Sequence, residues 1–166
     1  MFNGPYGAKF DIKAIAGAIV DFMSEDLARE YRVTIGSDSA LSDKTKADFI
    51  TAIVVHRVGN GARYFWRRTE IGSLHTLRDR IVKEVMISLD VAKVTLEAIN
   101  ELNPPKFGFE IHVDVGEVGE TKTMIQEVTG MIRALNYEVR TKPEVIYKKR
   151  PIAIAIENNT KICLMF

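Results

Sequence analysis

Two aspartates stand out by their setting. Asp38 closes the run Val33-Thr34-Ile35-Gly36-Ser37-Asp38, and Asp114 lies inside Ile111-His112-Val113-Asp114-Val115-Gly116. A carboxylate in apolar surroundings is costly unless it is paired, hydrogen-bonded or bound to a cation. The alternative use of each is a cap on a loop or helix end. Facing carboxylates repel each other, and a divalent cation removes that repulsion. Mg²⁺ and Mn²⁺ prefer oxygen ligands of this kind. Glu84 is a third candidate. It follows Ile81 by three residues and Leu77 by seven, at the edge of an apolar helical stripe and toward the sheet. Its alternative is an exposed glutamate paired with Arg80 or Lys83. Glu157 is the only acidic residue after Glu144.

Other residues could serve such a site. His112 is two residues before Asp114 and shares its side of a strand, which suits a supporting or proton-transfer role; the alternative is a hydrogen-bonded structural histidine. Arg57, Arg63, Arg67 and Arg68 interleave with Tyr64, Phe65 and Trp66, and Lys142, Lys148, Lys149 and Arg150 follow later. Phosphates need such charges, and unpaired bases stack on such rings. The alternative places Phe65 in the core and the arginines in water.

These residues need elements to position them. The 166 residues suit a single domain, 1–166, with an N-terminal loop and extra helix over 1–30 and a core over 31–161. Met1 to Phe10 carries Gly4, Pro5 and Gly7 and reads as a loop or loose end. Asp11 caps a helix running to about Glu30, with Ile12, Ile15, Ile19, Phe22 and Met23 at helical spacing. A short strand over Tyr31–Asp38 leads to a polar loop, Leu41–Ala47. A second strand spans Phe49–Val58. Gly59-Asn60-Gly61 then signals a hairpin into a third strand, Ala62–Glu70. A long helix follows from about His75 to Asn100, its stripe formed by Leu77, Ile81, Val85, Leu89, Ala92, Leu96 and Ile99. Asn103-Pro104-Pro105 stops it. A fourth strand (Phe107–Val115), a helix (Thr121–Leu135) and a short fifth strand (Tyr137–Thr141) complete the core.

Strands joined through helices run parallel, with right-handed crossovers. The fold class is therefore α/β, with a mixed five-stranded sheet flanked by helices. Its first three strands form an antiparallel meander, and the first, fourth and fifth are parallel. Sites in such sheets gather beyond the carboxyl ends of the parallel strands. Asp38 and Asp114 lie at the ends of the first and fourth.

Composition removes several function classes. The net charge of +1 gives no long-range argument for a polyanion partner. One cysteine, Cys163, excludes a disulfide framework or zinc cluster within one chain. The start lacks a signal-peptide pattern, and no apolar run approaches about 18 residues. The expectation is a cytoplasmic protein with no membrane partner. A G-x-x-x-x-G-K-[ST] loop is absent from the sequence.

Asp38, Glu84 and Asp114, on the first strand, the long helix and the fourth strand, resemble the layout of the ribonuclease H-like fold. The local motifs sharpen this. Ile35-Gly36-Ser37-Asp38-Ser39, Thr51-Ala52-Ile53-Val54-Val55-His56-Arg57 and Ala62-Arg63-Tyr64-Phe65-Trp66-Arg67-Arg68 are similar to the YkuK-type family of ribonuclease H-like proteins. So are Ile111-His112-Val113-Asp114-Val115-Gly116, Glu127-Val128-Thr129-Gly130-Met131 and Lys142-Pro143, and the likeness runs from about Tyr31 to Lys161.

The resemblance implies a metal-dependent nuclease that hydrolyses phosphodiester bonds of RNA, DNA or an RNA–DNA hybrid with two Mg²⁺ or Mn²⁺ ions. Asp38 would bridge the ions, Glu84 and Asp114 would hold one, and Glu157 or a water the other. Arg63, Arg67, Arg68 and Lys142 would meet the nucleic acid. Family members resemble an Ala-Asp-x-x-Thr-Lys ending, where this chain reads Ile156-Glu157-Asn158-Asn159-Thr160-Lys161, so Glu157 takes the place of the Asp. Lys148-Lys149-Arg150-Pro151 also departs from the pattern; Ile152–Ile156 reads as a strand from its own residues, whereas the family reading favours a helix or turn there. A rival is a non-catalytic ribonuclease H-like module that binds nucleic acid or protein. Asp114-Val115-Gly116 with Gly119 and Thr121 faintly resembles the phosphate loop of the sugar kinase–actin superfamily, but that machine needs two lobes. The extra helix covers a sheet edge or makes a dimer contact, which leaves a homo-oligomer open.

Overall fold

The computed structural model describes residues 1–116, 122–142, 151–156 and 160–165, with side chains described for 1–5, 7–115 and 122–141. In chain order the elements are β1 (Phe2–Asn3), β2 (Lys9–Phe10), α1 (Ile12–Ser24), β3 (Tyr31–Asp43), β4 (Lys46–Arg57) and β5 (Ala62–Ile71). Then come α2 (Leu77–Asn100), β6 (Gly108–Gly116), α3 (Ile125–Arg133), β7 (Glu138–Lys142), β8 (Pro151–Ile156) and β9 (Thr160–Met165).

The main sheet is mixed, with strand order β2-β1-β5-β4-β3-β6-β7. The antiparallel meander β3-β4-β5 and the parallel set β3, β6 and β7 form as the patterning requires. The count is seven rather than five, because the N-terminal ten residues are not a loose end. β1 lies antiparallel to β5 with Asn3 opposite Trp66, and β2 folds back on β1. Without them β5 would be an open edge with unpaired backbone groups. Asn3 Nδ2 also donates to the Trp66 carbonyl at 3.3 Å, and Phe2 is buried.

Three other expectations change. β3 does not end at Asp38. The stretch expected as a polar loop continues the ladder, from Ser39 opposite Phe49 to Leu41 opposite Ala47, before an irregularity near Asp43. Helix α1 stops at Ser24 rather than near Glu30, because Asp26 turns the chain: its side chain accepts from Ala28 N at 3.2 Å. Pro151–Ile156 is a strand, not a helix or turn, and pairs antiparallel with β9 in a separate two-stranded sheet. That pairing satisfies the backbone groups that an isolated strand would leave open.

Both long helices start on strong caps. Asp11 Oδ1 accepts from Ala14 N at 2.8 Å, and Thr76 and Asp79 form a reciprocal capping box on α2. The helices cover one face of the sheet. Ile15, Ile19, Ile81, Val85, Ala92 and Ile99 pack there on Val33, Ile35, Ile53, Val55, Phe65 and Ile111. The opposite face carries Ile50, Ala52 and Val54 with Tyr64 and Trp66 against them. The inner side of α2 is rotated from the apolar stripe read in the sequence. It buries Glu84, Ser88 and Thr95 beside Ile81, Val85, Val91, Ala92 and Ile99. Among the described residues, no helix is long and apolar enough to cross a membrane.

Candidate carboxylate site

The parallel pairing of β3 with β6 runs from Arg32 opposite Gly108 to Gly36 opposite His112, and goes no further. Asp38 and Asp114 each stand two residues beyond that last pair. β3 stays paired with β4 there, Asp38 facing Ile50, so the ladder opens on the β6 side alone. Alternation fixes which way each side chain leaves the sheet. Val33 and Ile35 belong to the helix-covered core, and Ser37 hydrogen-bonds Ser88 of α2. Asp38 therefore leaves on the opposite face. Ile111, Val113 and Val115 lie in the same core, so Asp114 leaves on the face of Asp38.

Glu84 approaches from the helix side. It is 7% exposed, and Ser39 Oγ donates to its Oε1 at 2.6 Å. A hydroxyl seam continues inward. Ser88 Oγ lies 2.8 Å from the Glu84 carbonyl and 3.0 Å from Ser37 Oγ, which lies 3.0 Å from Thr51 Oγ1. Burial pushes the Glu84 carboxyl up to about 7; the Ser39 bond and the Arg80 charge pull it down, and the charges of Asp38 and Asp114 push it further up. The charges of Asp38 and Asp114 thus both reach Glu84. Asp38 Oδ1 also accepts from the backbone N–H of Ser39, at 2.8 Å.

His112 shares the face of Asp114, and its Nε2 is 2.9 Å from Oε1 of Glu110. Glu110 is 3% exposed and sits in a cage that joins three strands. Arg140 of β7 donates to Oε2 at 3.1 Å, Thr34 of β3 donates to Oε1 at 3.4 Å, and Arg32 Nη1 is 3.8 Å away. Burial pulls this carboxyl upward, but the His112 hydrogen bond and charge, with Arg32 and Arg140, hold it below its ordinary value.

The basic residues do not form one track. Arg63 pairs with Glu25 at 2.7 Å and lies over the Phe22 ring. Arg67 lies over the Phe2 ring, on the helix side with Phe65. Arg68 leaves on the other face and pairs with Asp48. Phe65 is in the core. Lys142 closes β7, and its side chain lies outside the described residues, as does Glu157.

The donor set suits a hard divalent cation in kind: three oxygen-bearing side chains meet one sheet end, and repulsion among them raises Glu84. Closure is another matter. Among the described residues, no three His, Cys, Asp or Glu side chains group closely enough to hold an ion, and Glu84 is held by Ser39. Sequence reasoning missed Ser39 and Glu110. Ser39 adjoins Asp38 and must point to the helix side by alternation. Glu110 precedes His112 by two and must share its face.

A meander leading into parallel strands, with carboxylates where those strands part, is the arrangement of ribonuclease H-like proteins. The family model described as Ribonuclease H-like matches residues 14–149. A Bacillus subtilis (strain 168) protein, named Uncharacterized protein YkuK, is 36% identical over 138 aligned residues, which cover 74% of this chain and 77% of that protein. No solved structure matches the chain. The chain belongs to the ribonuclease H-like family, in its YkuK-type branch.

Proposed function

We propose that the chain is a metal-dependent nuclease of ribonuclease H-like type, acting on nucleic-acid phosphodiesters. The observation that carries this is the coupling of the buried Glu84 carboxyl to Asp38 and Asp114 at the parting of β3 and β6. Like charges gathered at one strand end favour a cation among them. A cation drawn to them would come from the open β6 side.

Asp38, Asp114 and Glu84 would hold Mg²⁺ or Mn²⁺, with Glu157 as a further donor. A bound ion would supply Lewis-acid activation of water and neutralise charge on a phosphate. The chain's own residues do the positioning. Ser39 fixes both carboxylates, accepting none of their protons: its Oγ–H serves Glu84 and its N–H serves Asp38. Glu110 holds the His112 ring on the face of Asp114.

The test is Mn²⁺ binding followed by cleavage. Millimolar Mn²⁺ should raise the melting temperature of the wild type and not that of Asp38→Asn. A Mg²⁺-dependent screen over RNA, DNA and RNA–DNA hybrid should then show cleavage lost in the same variant. Absence of any ion binding at millimolar concentration overturns the reading. The second reading, a non-catalytic module, is favoured by the Ser39–Glu84 bond, which already satisfies Glu84. It predicts nucleic-acid binding unaltered by EDTA and no cleavage.

A further inference from the structure

A cavity of about 300 Å³ opens where the turn between β3 and β4 meets the start of α2. Its lining divides by chemistry. Lys44, His75 and Arg80 bring basic groups, and Leu41, Leu74 and Leu77 make an apolar wall. The backbone fixes this arrangement. Leu74 N donates to the Thr45 carbonyl at 3.0 Å, which ties the approach to α2 onto the hairpin turn that carries Lys44.

Among the described residues, the Lys44 and Arg80 side chains are not held in ion pairs. Arg80 Nε is buried without a hydrogen-bond partner among the described residues, which is costly unless a ligand satisfies it. The helix end itself is not the attraction, because Asp79 already accepts from the N–H groups of His75 and Thr76, at 3.1 and 2.9 Å. An anion would be drawn by the side chains.

The geometry points to this cavity as a nucleotide subsite, in which Arg80 and Lys44 hold a phosphate ester and Leu41, Leu74 and Leu77 take the attached sugar or base. A purely anionic ligand would leave the leucine wall in water, and a purely apolar one would bury three basic groups unpaired. One nucleotide joins both chemistries, and the volume suits a single one. The cavity lies on the Glu84 side of the proposed cleavage site. Arg80 precedes Glu84 by four residues, about 6 Å along the axis, and Leu41, three residues past Asp38 on β3, leaves on the helix side as Glu84 does. The subsite therefore deepens the nuclease reading, holding a nucleotide next to the bond presented to the carboxylates.

The nucleotide could belong to a strand or be free, and the test separates the two. The full chain in EDTA is titrated calorimetrically with uridine monophosphate, a single-stranded tetranucleotide and inorganic phosphate. Lys44→Ala and Arg80→Gln should each weaken nucleotide binding at least fivefold. Leu41→Ser should weaken nucleotide binding and leave inorganic phosphate unchanged. Every titration is run without metal, so failure of the metal reading leaves this measurement intact. Binding of the tetranucleotide alone assigns the ligand to a strand; equal or tighter binding of the monophosphate assigns it to the free nucleotide. No binding, inorganic phosphate as tight as either nucleotide, or no effect of the first two variants overturns the subsite. If Arg80→Gln fails to fold, Lys44→Ala, in a hairpin turn, decides.

Discussion

Ser39 Oγ donates to Glu84 Oε1 at 2.6 Å, while the backbone N–H of the same residue serves Asp38 Oδ1 at 2.8 Å. One serine thus addresses an aspartate on the open face of the sheet and a glutamate that comes from α2 on the other. It does so because consecutive strand residues alternate: Asp38 departs on the open face and Ser39 toward α2.

Ser39→Ala should remove the interaction that most lowers the Glu84 carboxyl. The Glu84 titration, followed by carboxyl NMR, should move above about 7. Stability at pH 8 should fall by about 1.5–3 kcal/mol in urea unfolding, the range for a hydrogen bond to a charged group. An unchanged Glu84 titration would show that the bond does not hold in solution.

Glu84 gives the protein a defined pH dependence. Its carboxyl is about 7 when folded and 4.5 as a model group, so between these values the folded chain holds a proton that the unfolded chain has released. Stability must then fall as pH rises from 4.5 through 7, by on the order of 3 kcal/mol in total. Glu84→Gln keeps an oxygen for Ser39 and removes the charge. It should be more stable than the wild type at pH 8 and nearly equal at pH 4.5, by urea unfolding at each pH.

Glu110 carries the opposite sign. Its folded carboxyl lies below the ordinary value, so its contribution is present above pH 4.5 and is lost as pH falls through the folded value. Glu110→Gln leaves His112, Arg140 and Arg32 without their anion and should cost about 3–5 kcal/mol at pH 7. The difference from wild type should shrink on acidification. A difference independent of pH would mean that the cage is packing rather than charge.

Mn²⁺ at ten times its dissociation constant should stabilise the wild type by about 1.4 kcal/mol, a rise of roughly 3–6 °C in melting temperature. Asp114→Asn should reduce that rise in the same way as Asp38→Asn. A rise retained in both variants would place the ion elsewhere.

Phe2→Ala should destabilise by about 3–5 kcal/mol, since the ring is buried at 2% exposure and lies under Arg67. A loss below 1 kcal/mol in urea unfolding would show that the N-terminal strands detach in solution.

The sheet was readable where residues alternate or repeat with a clear period. The meander and the two parallel crossovers followed from patterning, as did the placement of Asp38 and Asp114 where β3 and β6 part. β1 and β2 were not readable, because two-residue strands have no period to detect. The far end of β3 was misread for a related reason: Leu41 to Asp43 is exposed, so the ladder there needs no apolar alternation to form. On α2 the apolar stripe pointed to Leu89 and Leu96, yet the inner face carries Ser88 and Thr95. The Ser88 hydroxyl is bonded internally, to the Glu84 carbonyl and Ser37, which lets a polar residue occupy a face that a hydrophobic pattern assigns to leucine. Ser39 carries no sequence signal of its own: a serine after a strand-end aspartate is common, and only the fold brings its hydroxyl to Glu84.

β1 and β2 contribute only two residues each. A foreign strand laid along β2 would find almost no ladder to extend, and its gain would end after a couple of hydrogen bonds. The N-terminal segment therefore works as a terminator of sheet growth. It meets the outer strand of the meander at Asn3 opposite Trp66, with a piece too short to act as a template.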